Sequence, residues 1–158
     1  MKLARTIHFD ESDRNIFSRP AETGEWAIPG GFEFSNWTEA DLSGKARQAF
    51  ANGWLALDGF GRATLVAVAQ IEPAELEELV GRLAGHFVTI YGAPDRETAV
   101  AAAREEIGYM LELCEEHDPN TLLVVQRELT EAGVKESFRV IRPADAEIDI
   151  VAVHGSVE

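Results

Sequence analysis

A single cysteine, Cys114, excludes an internal disulfide, so packing alone has to hold the fold. No apolar run approaches the roughly 20 residues that a membrane-spanning helix needs; the most apolar stretch, Ala63 to Ala69, is the length of a strand. The opening Met1-Lys2-Leu3-Ala4-Arg5-Thr6-Ile7-His8 also lacks the continuous apolar stretch of a secretory signal, and the expectation is a soluble, cytoplasmic protein. Positive charge is scarce, with 14 Lys and Arg against 28 Asp and Glu and a net charge of -14. Such a field repels phosphate backbones and anionic headgroups, so neither nucleic acid nor a membrane surface is an expected partner. The familiar phosphate loops are missing too. Gly59-Phe60-Gly61 has Thr64 where a dinucleotide fingerprint needs a third glycine, and Gly44-Lys45 lacks the earlier glycine of a Walker loop. No Gly-x-Ser-x-Gly elbow occurs.

What is present is the composition of an ordinary globular chain, 46% hydrophobic and 27% charged. At 158 residues it can bury roughly two-thirds of its unfolded surface as one domain spanning 1–158. Leu3 to Phe9 alternates apolar with polar and reads as a half-buried strand, ended by a turn at Asp10-Glu11-Ser12-Asp13. Trp26-Ala27-Ile28 and Phe32-Glu33-Phe34, joined by Pro29-Gly30-Gly31, predict a hairpin, since proline and glycine preset its central dihedrals. A helix is expected from Gly44 to Asn52, then a central strand from Arg62 to Ile71, whose small and β-branched residues suit cover on both faces.

Two long helices follow. Glu72-Pro73 opens the first, with an apolar stripe of Leu76, Leu79, Val80, Leu83, Phe87 and Ile90 ended by Gly92-Ala93-Pro94. Asp95 caps the second, whose stripe runs through Ala99, Val100, Ala103, Ile107, Met110, Leu111 and Cys114 to about Glu116. Strands return at Thr121 to Leu129, Lys135 to Ile141 and Ile148 to Val153. Without the alternation of strand and helix that builds a parallel sheet, the order predicts an α+β fold, an antiparallel sheet packed against an antiparallel helix pair. From Glu72 to Asp118, twelve acids against Arg82, Arg96 and Arg104 put -9 of the net charge on the helical layer, a solvated face.

Few polar residues stand out. Cys114 and His117, three apart at a helix end, are donors that zinc accepts, but Cys114 lies on the apolar stripe and His117 suits a helix C-terminus without metal. No metal and no other cofactor is expected. His86 borders the stripe of its helix and can reach the sheet. Lys45 and Arg47, with Phe50 and Trp54 nearby, combine cations and aromatics that could line a site for a small anion. Arg127, Arg139 and Arg142 read as edge and cross-strand charges. Trp26, Trp37 and Trp54 crowd the first third, where short strands offer little cover, so a homodimer that buries some of them is a further expectation.

The words Lys2-Leu3-Ala4-Arg5-Thr6-Ile7-His8-Phe9-Asp10, Gly44-Lys45-Ala46-Arg47-Gln48-Ala49-Phe50, Gly53-Trp54-Leu55, Gly92-Ala93-Pro94, Leu113-Cys114-Glu115-Glu116-His117 and Glu136-Ser137-Phe138-Arg139 span most of the chain. Through them it resembles an uncharacterised alphaproteobacterial family of small acidic proteins, known only as a domain of unknown function. The resemblance implies a bacterial cytoplasmic protein and brings no activity, cofactor or catalytic residue. Two readings stand: a non-catalytic accessory or binding protein, and a small enzyme or small-molecule-binding protein whose pocket lies between helix pair and sheet, faced by His86, Lys45 or Arg47. A pocket with a perturbed titratable group separates the second from the first.

Overall fold

The structure, a computed structural model, describes residues 1–8 and 16–141. Phe9, the expected turn at Asp10 to Asp13, Arg142 and the expected strand from Ile148 lie outside those residues. The chain is α+β: among the described residues seven antiparallel strands form one sheet, accompanied by three α-helices. The strands are β1 (Lys2–Ile7), β2 (Trp26–Ile28), β3 (Trp54–Ala56), β4 (Arg62–Ala63), β5 (Leu65–Gln70), β6 (Leu122–Thr130) and β7 (Gly133–Ile141), in the order β4-β3-β2-β1-β5-β6-β7. The helices are α1 (Gly44–Asn52), α2 (Pro73–Tyr91) and α3 (Arg96–Glu115).

α2 and α3 form where their caps and stripes predict. Pro73 occupies the first turn of α2, Gly92 ends it in the left-handed region at φ 67°, and the Asp95 side chain accepts from the Thr98 N–H to start α3. Glu77 pairs with Arg104, and the Gly81 carbonyl accepts from Arg96, so the two helices run antiparallel. Their stripes enter one core with Leu3, Ile28, Leu57, Val68 and Leu123 of the sheet. Ile90 departs from the expected stripe. It is 62% exposed, because the last turn of α2 runs past the edge of the core.

The run from Arg62 to Ile71 is two strands rather than one. Arg62–Ala63 pairs with β3 as the edge strand β4, and after Thr64 the chain crosses to the middle of the sheet, where β5 lies between β1 and β6. There Leu65, Val66, Ala67 and Val68 are all buried, so residues pointing to both sides of the strand are covered. The β6–β7 hairpin turns through Glu131-Ala132, with Gly133 at φ 117°.

The sheet curls. Four strands separate β4 from β6, yet Arg62 and Arg127 both donate to the Gly53 carbonyl at 2.9 Å. Trp54 of β3 stacks on Phe138 of β7 at 5.7 Å, and Phe138 meets Tyr109 of α3, so the sheet wraps around that helix. The second arm of the predicted hairpin is absent. Gly31–Phe34 is a 3₁₀ turn instead of a strand, because Glu33 and Phe34 are drawn onto the two arginines. Gly30 permits this at φ 66°, and a side chain there would collide with the Leu55 Cβ.

Val66, fully buried between Thr6 and Leu123, gives the fold its sharpest test. Val66→Asp leaves an unpaired charge inside and is expected to cost more than about 4 kcal/mol or to abolish the cooperative urea transition. A variant melting within about a degree of the parent would mean that β5 is not interior.

Candidate functional site

The most connected polar group of residues is built on backbone oxygens. Arg62 Nη1 donates to the carbonyls of Pro29, at 3.2 Å, and Gly53, while Nη2 donates to Gly30 and to the Glu33 carboxylate. Arg127 Nε donates to Glu136 at 2.7 Å, its Nη1 to the carbonyls of Phe50 and Gly53 at the end of α1, and its Nη2 to Pro29. Both guanidiniums lie against the ring of Phe34, at 4.6 and 5.1 Å. Burial brings the Arg62 pKa down to about 10, and Arg127 adds to this while Glu33 opposes it, so Arg62 stays cationic near neutral pH. Arg127 is the cross-strand charge expected of it, facing Glu136 across the hairpin, but on an interior strand and 4% exposed rather than at an edge.

Glu33 links this network to a cleft. Its second oxygen accepts from the Tyr91 hydroxyl at 2.6 Å, and burial together with this carboxylate pushes the Tyr91 phenol well above its usual range. The cleft, of about 320 Å³, lies between α1, the Gly31–Phe34 turn, residues 17–19 and the end of α2. Phe17, Phe34, Trp37, Phe60 and Tyr91 give it aromatic walls, and Arg19 and Lys45 stand on it as exposed cations without an ion pair among the described residues. Other hollows are at least as large and carry carboxylates: Glu106 and Glu136 line one, Glu22, Glu25, Asp58, Glu75 and Glu78 a second, Glu39 and Glu128 a third, and Glu128 a fourth.

His86 sits behind the cleft wall. Its ring stacks on Phe60 at 3.9 Å and 6°, and meets Tyr91 edge-on at 5.5 Å. Its Nε2 is buried without a hydrogen-bond partner. Burial holds the imidazole below its usual pKa, Glu33 opposes this, and Arg19 reinforces it. The structure thus brings Lys45 and the neighbours of His86 to one cleft but separates the other candidates. Arg47, two residues beyond Lys45, points away around the helix and lines a hollow with Glu39 and Glu128. Trp54 is fully buried and stacked on Phe138, out of any ligand's reach. Cys114 is also fully buried, its thiol pushed up to about 12 by burial, and the backbone N–H of His117 donates to its carbonyl. No group of three or more metal-ligating side chains occurs among the described residues.

Of the three indoles, Trp37 keeps the most exposed surface. Trp54 is sealed in the core, and Trp26 is 9% exposed beneath the Arg5 guanidinium, which leaves Trp37 half-covered against Phe34 and Phe50. Glu33, Tyr91, Phe60, Arg19 and Arg62 escape a sequence reading, being scattered over four separate segments. Arg62 alone carried a signal, as a cation at the head of an apolar run.

A family model described as "Family of unknown function (DUF6505)" matches residues 1–158. No curated protein and no solved structure matches the chain.

Two outcomes follow from this geometry. Arg127→Ala takes the guanidinium from Glu136 and the Phe50 carbonyl and leaves Pro29 and Gly53 with Arg62 alone, and is expected to lose about 3–5 kcal/mol in urea unfolding; an unchanged midpoint would remove the pair from the fold's support. Tyr91 is favoured neutral in the folded state, so its contribution is complete below the free-tyrosine pKa of about 10 and is lost as pH rises through its elevated folded value. In a Tyr109→Phe background, ultraviolet titration should show Tyr91 ionising late, and Glu33→Gln should bring the transition down. The same transition with and without Glu33 would refute the contact.

Proposed function

We propose, for a chain that belongs over its whole length to the DUF6505 family of unknown function, a role as a non-catalytic binding protein that holds a small molecule in the cleft beside α1. One contrast carries the reading: the reactive groups around the cleft are already committed, and the two cations on it are not. The Tyr91 proton is held by Glu33, the terminal nitrogens of Arg62 are spent on three carbonyls and a carboxylate, and the His86 Nε2 is sealed behind Phe60. A general base has to reach the proton it removes, and a nucleophile needs such a base beside it. Cys114 supplies neither, since it lies in the helix–sheet core with its proton retained.

Aromatic walls with a few placed polar groups are what a small-molecule site requires, and about 320 Å³ falls at the small end of such pockets. We take the setting to be cytoplasmic, on the single buried thiol. No helix among the described residues is long and apolar enough to cross a membrane.

A thermal-shift screen of small metabolites tests the proposal. A ligand that binds only the folded state at a hundred times its Kd adds about 2.7 kcal/mol and raises the midpoint. Compounds that shift the parent should shift a Lys45→Ala, Trp37→Ala double variant far less. Hits that shift both proteins equally, or a hit consumed catalytically, would refute the reading.

A further inference from the structure

Taking the cleft beside α1 as the binding site, we infer that its ligand is a planar aromatic carboxylate, with the acid group held between Arg19 and Lys45 and the ring laid among Trp37, Phe60 and Tyr91. The charge balance points there first. A chain of net charge -14 repels anions over most of its surface, and the other hollows of this size each carry at least one carboxylate. This cleft reverses the sign. Among the described residues its one acidic lining residue is Glu33, already matched by Arg62 and by the Tyr91 hydroxyl, and the exposed charges these residues leave on the cleft are the guanidinium of Arg19 and the ammonium of Lys45.

Those two cations come from separate segments, one just before the Pro20 bridge to β4 and one in the first turn of α1. A guanidinium fork matches the two oxygens of a carboxylate, and a lysine adds a point charge to either oxygen. The volume limits the rest of the molecule: about 320 Å³ suits one ring system and a single acid group. Five aromatic side chains on the lining favour a flat ring over an aliphatic chain, because stacked and edge-on ring contacts add to what area burial alone supplies. A phosphate ester is the poorer match. Its second negative charge would sit in the same cleft as the Glu33 carboxylate.

Isothermal titration calorimetry with benzoate and indolecarboxylate, their neutral amides, and phenyl phosphate tests this, with amide chemical shifts of the parent locating the site. The carboxylates should bind at least about tenfold more tightly than the amides and weaken as salt is raised. Lys45→Ala and Arg19→Ala should each weaken them several-fold, while Lys135→Ala, on the exposed β7, should leave them unchanged. Shifts should cluster at Lys45, Ala49, Phe60 and Tyr91. Equal binding of acid and amide, tighter binding of the phosphate, or library hits at this cleft that carry no negative charge would overturn the ligand class and leave the cleft standing as a binding site. Carboxylate binding that maps elsewhere, with no library hit at Lys45 or Phe60, would overturn both.

Discussion

Arg62 and Arg127 meet over the ring of Phe34 and donate to the same two oxygens, those of Pro29 and Gly53. Two buried like charges side by side are costly, and after burial itself Arg127 weakens Arg62's hold on its proton. Glu33 offsets the first and Glu136 the second. The carbonyls do the remainder, because an unpartnered carbonyl inside the protein costs about as much as a lost hydrogen bond. The exposed Arg104–Glu77 pair on the helix surface has good geometry but little bearing on the fold, since water competes for both ends. The irregular half of the molecule depends on the buried pair: the end of α1, the 29–34 turn, β4 and β6 all converge on it.

The candidate cleft inherits its shape from this arrangement. Phe34 and Glu33 are held from below by Arg62, and Glu33 in turn positions the Tyr91 hydroxyl at the end of α2. Three elements that share no backbone pairing are thereby fixed relative to one another. A binding site assembled from single residues of separate segments needs such a support to hold its geometry.

Sequence periodicity located the elements whose stability comes from their own repeating faces. α1 spans the expected Gly44 to Asn52, α2 and α3 begin and end at their predicted caps, and β6 and β7 match their alternation. The misread parts obey long-range chemistry instead. Phe32-Glu33-Phe34 has the look of a strand, but a guanidinium 29 residues away captures its glutamate and bends it into a 3₁₀ turn. The apolar stretch after Arg62 looks like one strand, yet its first two residues serve the edge of the sheet and the rest its centre. Lys45 and His86 were legible because their residue types are conspicuous on helices. Their meeting place was not, because it is defined by Phe60 and Tyr91, two aromatics among many, and by the curl of the sheet.

The position of β1 between β2 and β5 has a consequence for how the chain acquires this structure. Lys2 to Ile7 pair along their whole length with residues 65–70, 58 to 68 positions later, whereas the β6–β7 hairpin and the α2–α3 pair close over short loops. Loop closure over a long stretch must be met before its contacts reward it, so the centre of the sheet carries a larger closure cost than either local unit. During synthesis β1 is made before both of its partners: Ala4 and Arg5 can meet β2 once Trp26–Ile28 follows, while the other edge of the strand stays open until residues 65–70 have been added. An early-emerging apolar strand held open for that interval is the segment most exposed to wrong pairing between nascent chains.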